Sequence, residues 1–512
     1  MRHNIGAILV RAALATCLAI GVLGSATAAS ALTISVDRDH PGARIPSRLI
    51  GLSFEAGSLR APWLDPSIGN VARLVAQLEP PSLRFSANGV DLHYWTRDPF
   101  EPKPDWAEGI LTPSDLVRGG AFAKSVGAAL DLGVNFAQLD PLRAADEARA
   151  AVAAMGPTLR SIQIGNEPDL YGVYGVAQDR KFYVYDTYEP DAQAYRDAID
   201  AAAPGIPIAG PDTSSTGPVD DPRWMALMQD RQIDGWLRPF ANDHRDTDSF
   251  LNTHLYPLTS CFGIPERGRL LSRGIADGTV DFLTRVQSIA RDAGMALHIS
   301  ETNSSSCGGR GAEFSSFASA LWIVDYVLLA ARVGVAELNF HTGRSCQGYS
   351  VICFPDETAE AVGRARAQPA YYGLMLVEQL LGSRFLPVTR SDDDQSMNVA
   401  AFAAVAPDGR VRVVLVNKTE QPAGDVRVDV GDFTGTARIQ RLTAPSMDAS
   451  EGVRFAGASV RPDGRFVAGP GTAARLTNGE LTIPLPAASA ALITISPARD
   501  DTRRAARLPV RR

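Results

Sequence analysis

The sequence predicts an α/β protein in which a (β/α)8 barrel is followed by a C-terminal antiparallel β-sandwich. Three observations predict it. Between residues 49 and 385, short β-branched or apolar runs alternate with longer amphipathic stretches, and eight such runs can be counted. No Gly-rich phosphate loop follows the first run, which disfavours an open doubly wound sheet. Beyond residue 385 the pattern changes to closely spaced strands separated by turn residues.

Taken in order, the chain begins with Arg2 and Arg11, an apolar run from Ala12 to Leu23, and the small residues Ser25-Ala26-Thr27-Ala28-Ala29. This is the pattern of an export signal ending at Ala28, so residues 1–28 are expected to be removed. The run is too short to span a bilayer comfortably, and no later stretch is apolar enough to do so. Residues 32–48 contain a strand, Leu32–Val36, expected to join the distant β-domain. The barrel strands are then expected at Leu49–Phe54, Ser82–Phe85, Ala128–Phe136, Ser161–Ile164, Ile206–Ala209, Phe250–His254, Ala296–Ile299 and Val335–Phe340. Amphipathic stretches such as Val71–Leu78, Asp191–Ala203, Val280–Ala293 and Phe314–Ala331 lie between them. Regular alternation of this kind implies parallel pairing through right-handed crossovers. For residues 386–498 the expected strands are Val399–Val405, Val411–Asn417, Val426–Val430, Ala437–Leu442 and Ala490–Ile495, with Asp408-Gly409 and Asp463-Gly464 as hairpin turns. The basic tail at residues 499–512 lacks a hydrophobic pattern and is expected to be disordered.

Composition narrows the function. A formal net charge of −7 argues against a nucleic-acid partner, which calls for a basic surface. Of five cysteines, Cys17 leaves with the signal, and Cys261, Cys307, Cys346 and Cys353 remain. An even number in an exported chain suggests two disulfides. Cys261 pairing with Cys307 would join the ends of adjacent strands six and seven, and Cys346 pairing with Cys353 would close a short loop after strand eight. A zinc site is the rival, but the chain has no Cys-x-x-Cys pair.

In a parallel barrel the carboxyl ends of the strands form the active-site mouth. Here strand one ends at Glu55, and strand two leads to Ser86, Asn88 and Asp91. Strand four ends in Gly165-Asn166-Glu167-Pro168-Asp169, strand six in His254-Leu255-Tyr256, strand seven in Ser300-Glu301-Thr302-Asn303 and strand eight in Asn339-Phe340-His341. Carboxylates converging on one mouth repel each other, and catalysis is the usual reason for such an arrangement. Cleavage of a glycosidic bond needs one carboxyl that donates a proton and one that attacks. Glu167 suits the acid/base role and Glu301 the nucleophile, with Tyr256 placed to hydrogen-bond the latter. If the two stand roughly 5 Å apart, configuration is retained. His254 and His341 are expected to be hydrogen-bonded active-site histidines rather than metal ligands, and no metal or cofactor is expected. Tyr171, Tyr174, Tyr183, Tyr185 and Tyr188 follow the acid/base; they form either a loop core or platforms for sugar faces.

Asn166-Glu167-Pro168 and Glu301 at these strand positions resemble clan A glycoside hydrolases. Within the clan the chain resembles glycoside hydrolase family seventy-nine, the β-glucuronidases and heparanases. The likeness runs through Phe54-Glu55, Leu83-Arg84-Phe85 with Asp91, Asn166 to Tyr171, His254 to Pro257, Ser300 to Ser304, and His341. It implies a retaining β-glycosidase for a uronic-acid-containing glycan. It further implies that Asn166 and Asp91 bind sugar hydroxyls, that Glu55 and His341 line the same subsite, and that Gly348-Tyr349 reads the uronic carboxylate, with Arg344 close by. Two departures stand out: Ser306 where members carry a Tyr some five residues after the nucleophile, and Ser86-Ala87 in place of a Gly-Gly. A clan A glycosidase for neutral sugars and a non-catalytic carbohydrate-binding barrel are the alternatives.

Overall fold

The computed structural model describes residues 32–78, 81–174, 183–245, 250–342, 345–392 and 397–497. The expected export signal, Arg344 and the basic tail therefore lie outside the described residues, as does the side chain of Tyr174.

Eight parallel strands close into a barrel: Ile50–Glu55, Ser82–Ser86, Ala129–Val134, Leu159–Ile164, Ile208–Thr213, Phe250–Leu255, Ala296–Thr302 and Glu337–His341. Each pairs with its sequence neighbour, and the eighth pairs with the first through Leu338↔Ile50 to His341↔Ser53. Helices cover the outside, so the strands are buried on both faces, and in strands such as Ser82–Ser86 and Ala296–Thr302 apolar residues alternate with buried polar ones. Many polar residues inside the barrel pair with one another, although among the described residues Ser86 Oγ, Gln163 Nε2 and Asn252 Oδ1 find no partner. Towards the amino ends of the strands, Arg160 of strand four donates to Asp131 of strand three (3.0 Å) and to Glu337 of strand eight (2.6 Å). That cluster lies at the end opposite the mouth.

The β-domain consists of two sheets. A larger antiparallel sheet runs from Arg384–Leu386 through Val399–Val405, Val411–Asn417, Ser489–Pro497 and Gly435–Thr443 to Arg454–Phe455. A smaller one has the order Val388–Arg390, Thr33–Val36, Gly424–Asp429, Glu480–Leu485. The leading strand Thr33–Val36 pairs parallel with Gly424–Asp429, so the sandwich is not wholly antiparallel. Side-chain alternation explains how the larger sheet serves two cores. Val413 and Leu415 face the smaller sheet, whereas Val414 and Val416 pack into the barrel's hydrophobic core. Helix Phe317–Val333, apolar around its circumference, is buried almost throughout. Its Asp325 takes a 2.6 Å ion pair from Lys418 of the β-domain.

One expectation needs correction, and one open reading is decided. Asp463-Gly464 forms a turn, with Gly464 N–H donating to the Arg461 carbonyl, but no strands flank it. Instead it docks on the first barrel helix, where Asn70 Nδ2 donates to the Pro462 carbonyl (2.9 Å) and Gln77 Nε2 to that of Gly464 (2.5 Å). Of the two readings of the tyrosines after strand four, the loop core holds for the four whose side chains are described. Tyr171, Tyr183, Tyr185 and Tyr188 are buried, with Phe136 and Trp236 among their ring contacts, and the last two begin helix Tyr185–Ala202.

Candidate active site

The site is shaped by local irregularities at the carboxyl ends of the strands. Strand seven gains one residue over strand six between Ile299↔Thr253 and Glu301↔His254, so Ser300 bulges. Strand five does the same between Pro211↔Asn252 and Thr213↔Thr253, so Asp212 bulges, with φ 53°. Such bulges re-aim the side chains that follow. The two bulges are tied together, because the Ser300 hydroxyl donates to Asp212. Glu167 itself is left-handed (φ 47°), a conformation costing a non-glycine residue about 1–2 kcal/mol. Its N–H donates to the Asp212 carbonyl (2.9 Å), which helps to hold that turn.

A cavity of about 380 Å³ at the mouth is lined by Glu55, Glu167, Tyr256, Glu301, His341 and Tyr349, together with Asn88, Thr216, Ser306 and Gln347. Six residues singled out in the sequence thus face one space. Three others do not line it. Asp91 is 2% exposed and its carboxylate accepts from four donors: the N–H groups of Phe136 (2.9 Å), Ala137 (3.1 Å) and Asn166 (3.2 Å), and the Tyr171 hydroxyl (2.8 Å). It fastens the ends of strands two, three and four beneath the cavity, where burial raises its pKa to about 6. Asn166 accepts from Arg84 Nη2 (2.9 Å) and donates to Asn88 (2.9 Å), so its amide is engaged within the floor. Gly348, at φ 78°, packs so closely that a Cβ would lie 1.9 Å from the Gly308 carbonyl. The same carbonyl accepts the Tyr349 N–H at 3.2 Å, so that amide is already used.

Arg84, named in the sequence only as part of a motif, is the hub. It is fully buried inside the barrel. Its Nη1 donates to Glu301 Oε2 (2.8 Å) and Ser53 (3.1 Å), its Nε to Gln163 (2.7 Å), and its Nη2 to Asn166. The other Glu301 oxygen accepts from the Tyr256 hydroxyl (2.8 Å). Burial opposes ionisation of Glu301, but His341, His254, Arg84 and the Tyr256 hydrogen bond outweigh it and lower its pKa to about 2. The carboxylate is therefore ionised at any ordinary pH and fixed at both oxygens.

Glu167 is placed differently. His254 Nδ1 lies 2.9 Å from its Oε1, while Nε2 points between Asp212 Oδ1 (3.7 Å) and Arg84 Nη2 (3.3 Å). Burial works against a charge on His254, yet the carboxylates of Glu301, Asp212 and Glu167 raise its pKa to about 9. Asp169, two residues on, is held by Ser214 N–H (3.0 Å) and Gln232 Nε2 (2.7 Å); burial, then the neighbouring Glu167, lift it to about 7. Across the cavity Glu55 accepts the Gly89 N–H (2.6 Å) and stands 3.7 Å from His341 Nε2. Its side chain is open to the cavity, but lies deep enough that desolvation, reinforced by Glu301, raises its pKa.

Both disulfides border this mouth. Cys261 bonds Cys307, joining the loops after strands six and seven, and Cys346 bonds Cys353 after strand eight, with Cα separations of 5.2 and 5.0 Å. Among the described residues no group of His, Cys, Asp or Glu is gathered so as to hold a metal ion, and no helix is long and apolar enough to cross a membrane.

The family model described as glycosyl hydrolase family 79 C-terminal beta domain matches residues 401–492. No curated protein matches the sequence. Among solved structures, a 4-O-alpha-L-rhamnosyl-beta-D-glucuronidase from Fusarium oxysporum is similar with a TM-score of 0.70 at 18% identity, over 90% of this chain and 100% of that one. A family 51 arabinofuranosidase from Xanthomonas axonopodis pv. citri gives 0.64 at 14% identity, over 91% and 100%. A bifunctional glucanase-xylanase from a metagenome library gives 0.62 at 16%, over 91% and 99%. At these identities the likeness speaks for the fold.

Proposed function

We infer that this chain, whose residues 401–492 match the glycosyl hydrolase family 79 C-terminal beta domain, is a retaining β-glycoside hydrolase acting on β-glucuronides. The observation that carries the reading is Glu301, ionised and clamped between Arg84 and Tyr256, facing the same cavity as Glu167. A carboxylate so oriented suits attack on an anomeric carbon, because none of its freedom must be lost in the transition state. In the first step Glu167 protonates the leaving oxygen as Glu301 attacks, which gives a glycosyl-enzyme. In the second, Glu167 takes a proton from water, and the ester to Glu301 is cleaved with net retention. His254, in contact with Glu167, keeps a proton within reach of the acid/base. Glu55 and His341 flank the nucleophile on the glycone side and meet sugar hydroxyls.

Recognition of the uronic carboxylate falls to the Tyr349 hydroxyl, 3.5 Å from that of Tyr256. Since the Tyr349 amide is engaged by Gly308, hydroxyl and side-chain donors on the loop after strand eight take this task, rather than that backbone group. Ser306 on the cavity wall favours a second reading, a neutral-sugar β-glycosidase, because it brings no phenolic hydroxyl to the site. An exported enzyme accords with both disulfides, since such bonds persist in oxidising compartments. The test is hydrolysis of p-nitrophenyl β-glucuronide beside the matching glucoside, galactoside and xyloside. Charge-assisted hydrogen bonds to a carboxylate should favour the glucuronide by on the order of 100-fold in kcat/KM. A better neutral substrate would select the second reading.

A further inference from the structure

A second cavity, of about 210 Å³, lies on the far side of the turn that borders the catalytic one. The turn is Asn88–Leu92. Asn88 lines the catalytic cavity and the Gly89 N–H reaches Glu55, whereas the Gly89 carbonyl meets Nδ1 of His93 (2.6 Å), which lines the second cavity. The opposite wall comes from helix Pro141–Met155 and the end of strand three.

Its chemistry is that of a sugar site. Tyr94, Trp95 and Trp106 present aromatic surface, with Tyr94 and Trp106 edge to face at 5.9 Å. Arg143 stacks over the Tyr94 ring at 4.3 Å, and its Nε is paired with Asp140 at 3.0 Å. Glu147, 3% exposed, belongs to the same lining. Among the described residues its carboxyl has no hydrogen-bond partner, although it lines the cavity. Burial, followed by the charge of Asp146, raises its pKa to about 8, so at neutral pH the group is a protonated acid able both to donate and to accept. A buried polar group without a partner is unfavourable, and hydroxyls of a bound ring would relieve it.

We propose that this cavity is a second carbohydrate subsite, taking a neutral pyranose residue of a glycan against Trp106 with its hydroxyls on Glu147. The sugar is neutral because Arg143, the guanidinium that lines the cavity, is already paired with Asp140, which leaves no free guanidinium among the described residues of the wall for an acidic sugar. The inference rests on the reading of the protein as a glycan hydrolase, but its test does not depend on turnover.

The full chain carrying Glu301→Gln is titrated with xylotetraose, cellotetraose and a hyaluronan tetrasaccharide while tryptophan fluorescence is followed. At least one probe should give a saturable change that Trp106→Ala and Glu147→Leu each weaken tenfold or more and Glu147→Gln weakens less than threefold. Glu147→Leu should at the same time raise the thermal midpoint, so a loss of binding there cannot come from unfolding. With Glu301 restored, none of the three variants should alter kcat/KM on p-nitrophenyl β-glucuronide by more than about twofold. A raised KM for a cleaved tetrasaccharide places the bound residue on the substrate chain; weakened binding with unchanged KM places it on a separate glycan. No fluorescence response to any probe, or equal affinities in parent, Glu147→Leu and Trp106→Ala, would overturn the subsite. Failure to cleave any aryl glycoside would instead overturn the proposed function.

Discussion

Replacing Arg84 with methionine removes one buried cation and the donors that join Glu301, Asn166, Gln163 and Ser53. Two consequences can be given sizes. The first is stability: breaking a buried ion pair from one side leaves an uncompensated charge and costs about 3–5 kcal/mol, a fall of roughly 5 °C or more in the thermal midpoint of a chain this long. The second is catalysis. The 2.8 Å bond to Glu301 Oε2 is charge-assisted, and hydrogen bonds to charged groups contribute about 1.5–3 kcal/mol, so kcat/KM should drop roughly 10- to 150-fold. The sign of the pH effect follows from the depressed pKa of Glu301, about 2. Without the cation the carboxylate is easier to protonate, and its pKa rises by about 1–3 pH units. The acid limb of kcat/KM should therefore move upward, to roughly pH 3–5, while Arg84→Lys, with the charge but not the fork, shifts it less. The assay is a pH series of kcat/KM on an aryl glucuronide beside scanning calorimetry. An Arg84→Met enzyme with wild-type acid limb, rate and midpoint would mean that Arg84 does not hold the nucleophile.

Glu167→Ala should retain the first step on aryl substrates with good leaving groups, and external azide should restore turnover as a glycosyl azide, measured by product analysis. Tyr349→Phe should narrow the preference for glucuronide over glucoside by roughly 5- to 30-fold, the equivalent of about 1–2 kcal/mol, with little effect on glucoside hydrolysis. His254 has a folded pKa of about 9 against an ordinary 6.5, so its contribution to stability is fully present below pH 6.5 and is lost as pH rises through about 9. Thermal midpoints should decline across that window in the parent, and less steeply in His254→Gln.

The barrel was readable because its signal is repeated: eight apolar runs at regular spacing, each found where expected to within a few residues at either end. The small-sheet strand Glu480–Leu485 carries a legible signal too: Leu481, Ile483 and Leu485 are buried and the residues between them exposed, a strict alternation that Pro484 masks in the sequence. Val388–Arg390 and Thr472–Arg475 carry no such pattern, since their order comes from the neighbours they pair with. At the site, the two glutamates stood out because strand ends advertise function. Arg84 did not, for a charge in the middle of Ser-Leu-Arg-Phe-Ser looks like one exposed strand position until closure of the barrel turns it inward. Asp91 shows the converse: a carboxylate after strand two reads as a ligand for sugar, but its four donors come from loops up to 80 residues away, and only folding brings them together. The bulges at Asp212 and Ser300, which set the aim of Glu167 and Glu301, leave no mark in composition or periodicity.

The double-displacement account stands on which side chain becomes bonded to the sugar. Incubation with 2-deoxy-2-fluoro-β-glucuronyl fluoride, followed by proteolysis and mass spectrometry, reads that residue directly. The predicted result is one equivalent of label, with loss of activity, on the peptide bearing Glu301; label on Glu55 or Glu167, or inactivation without covalent attachment, would contradict it.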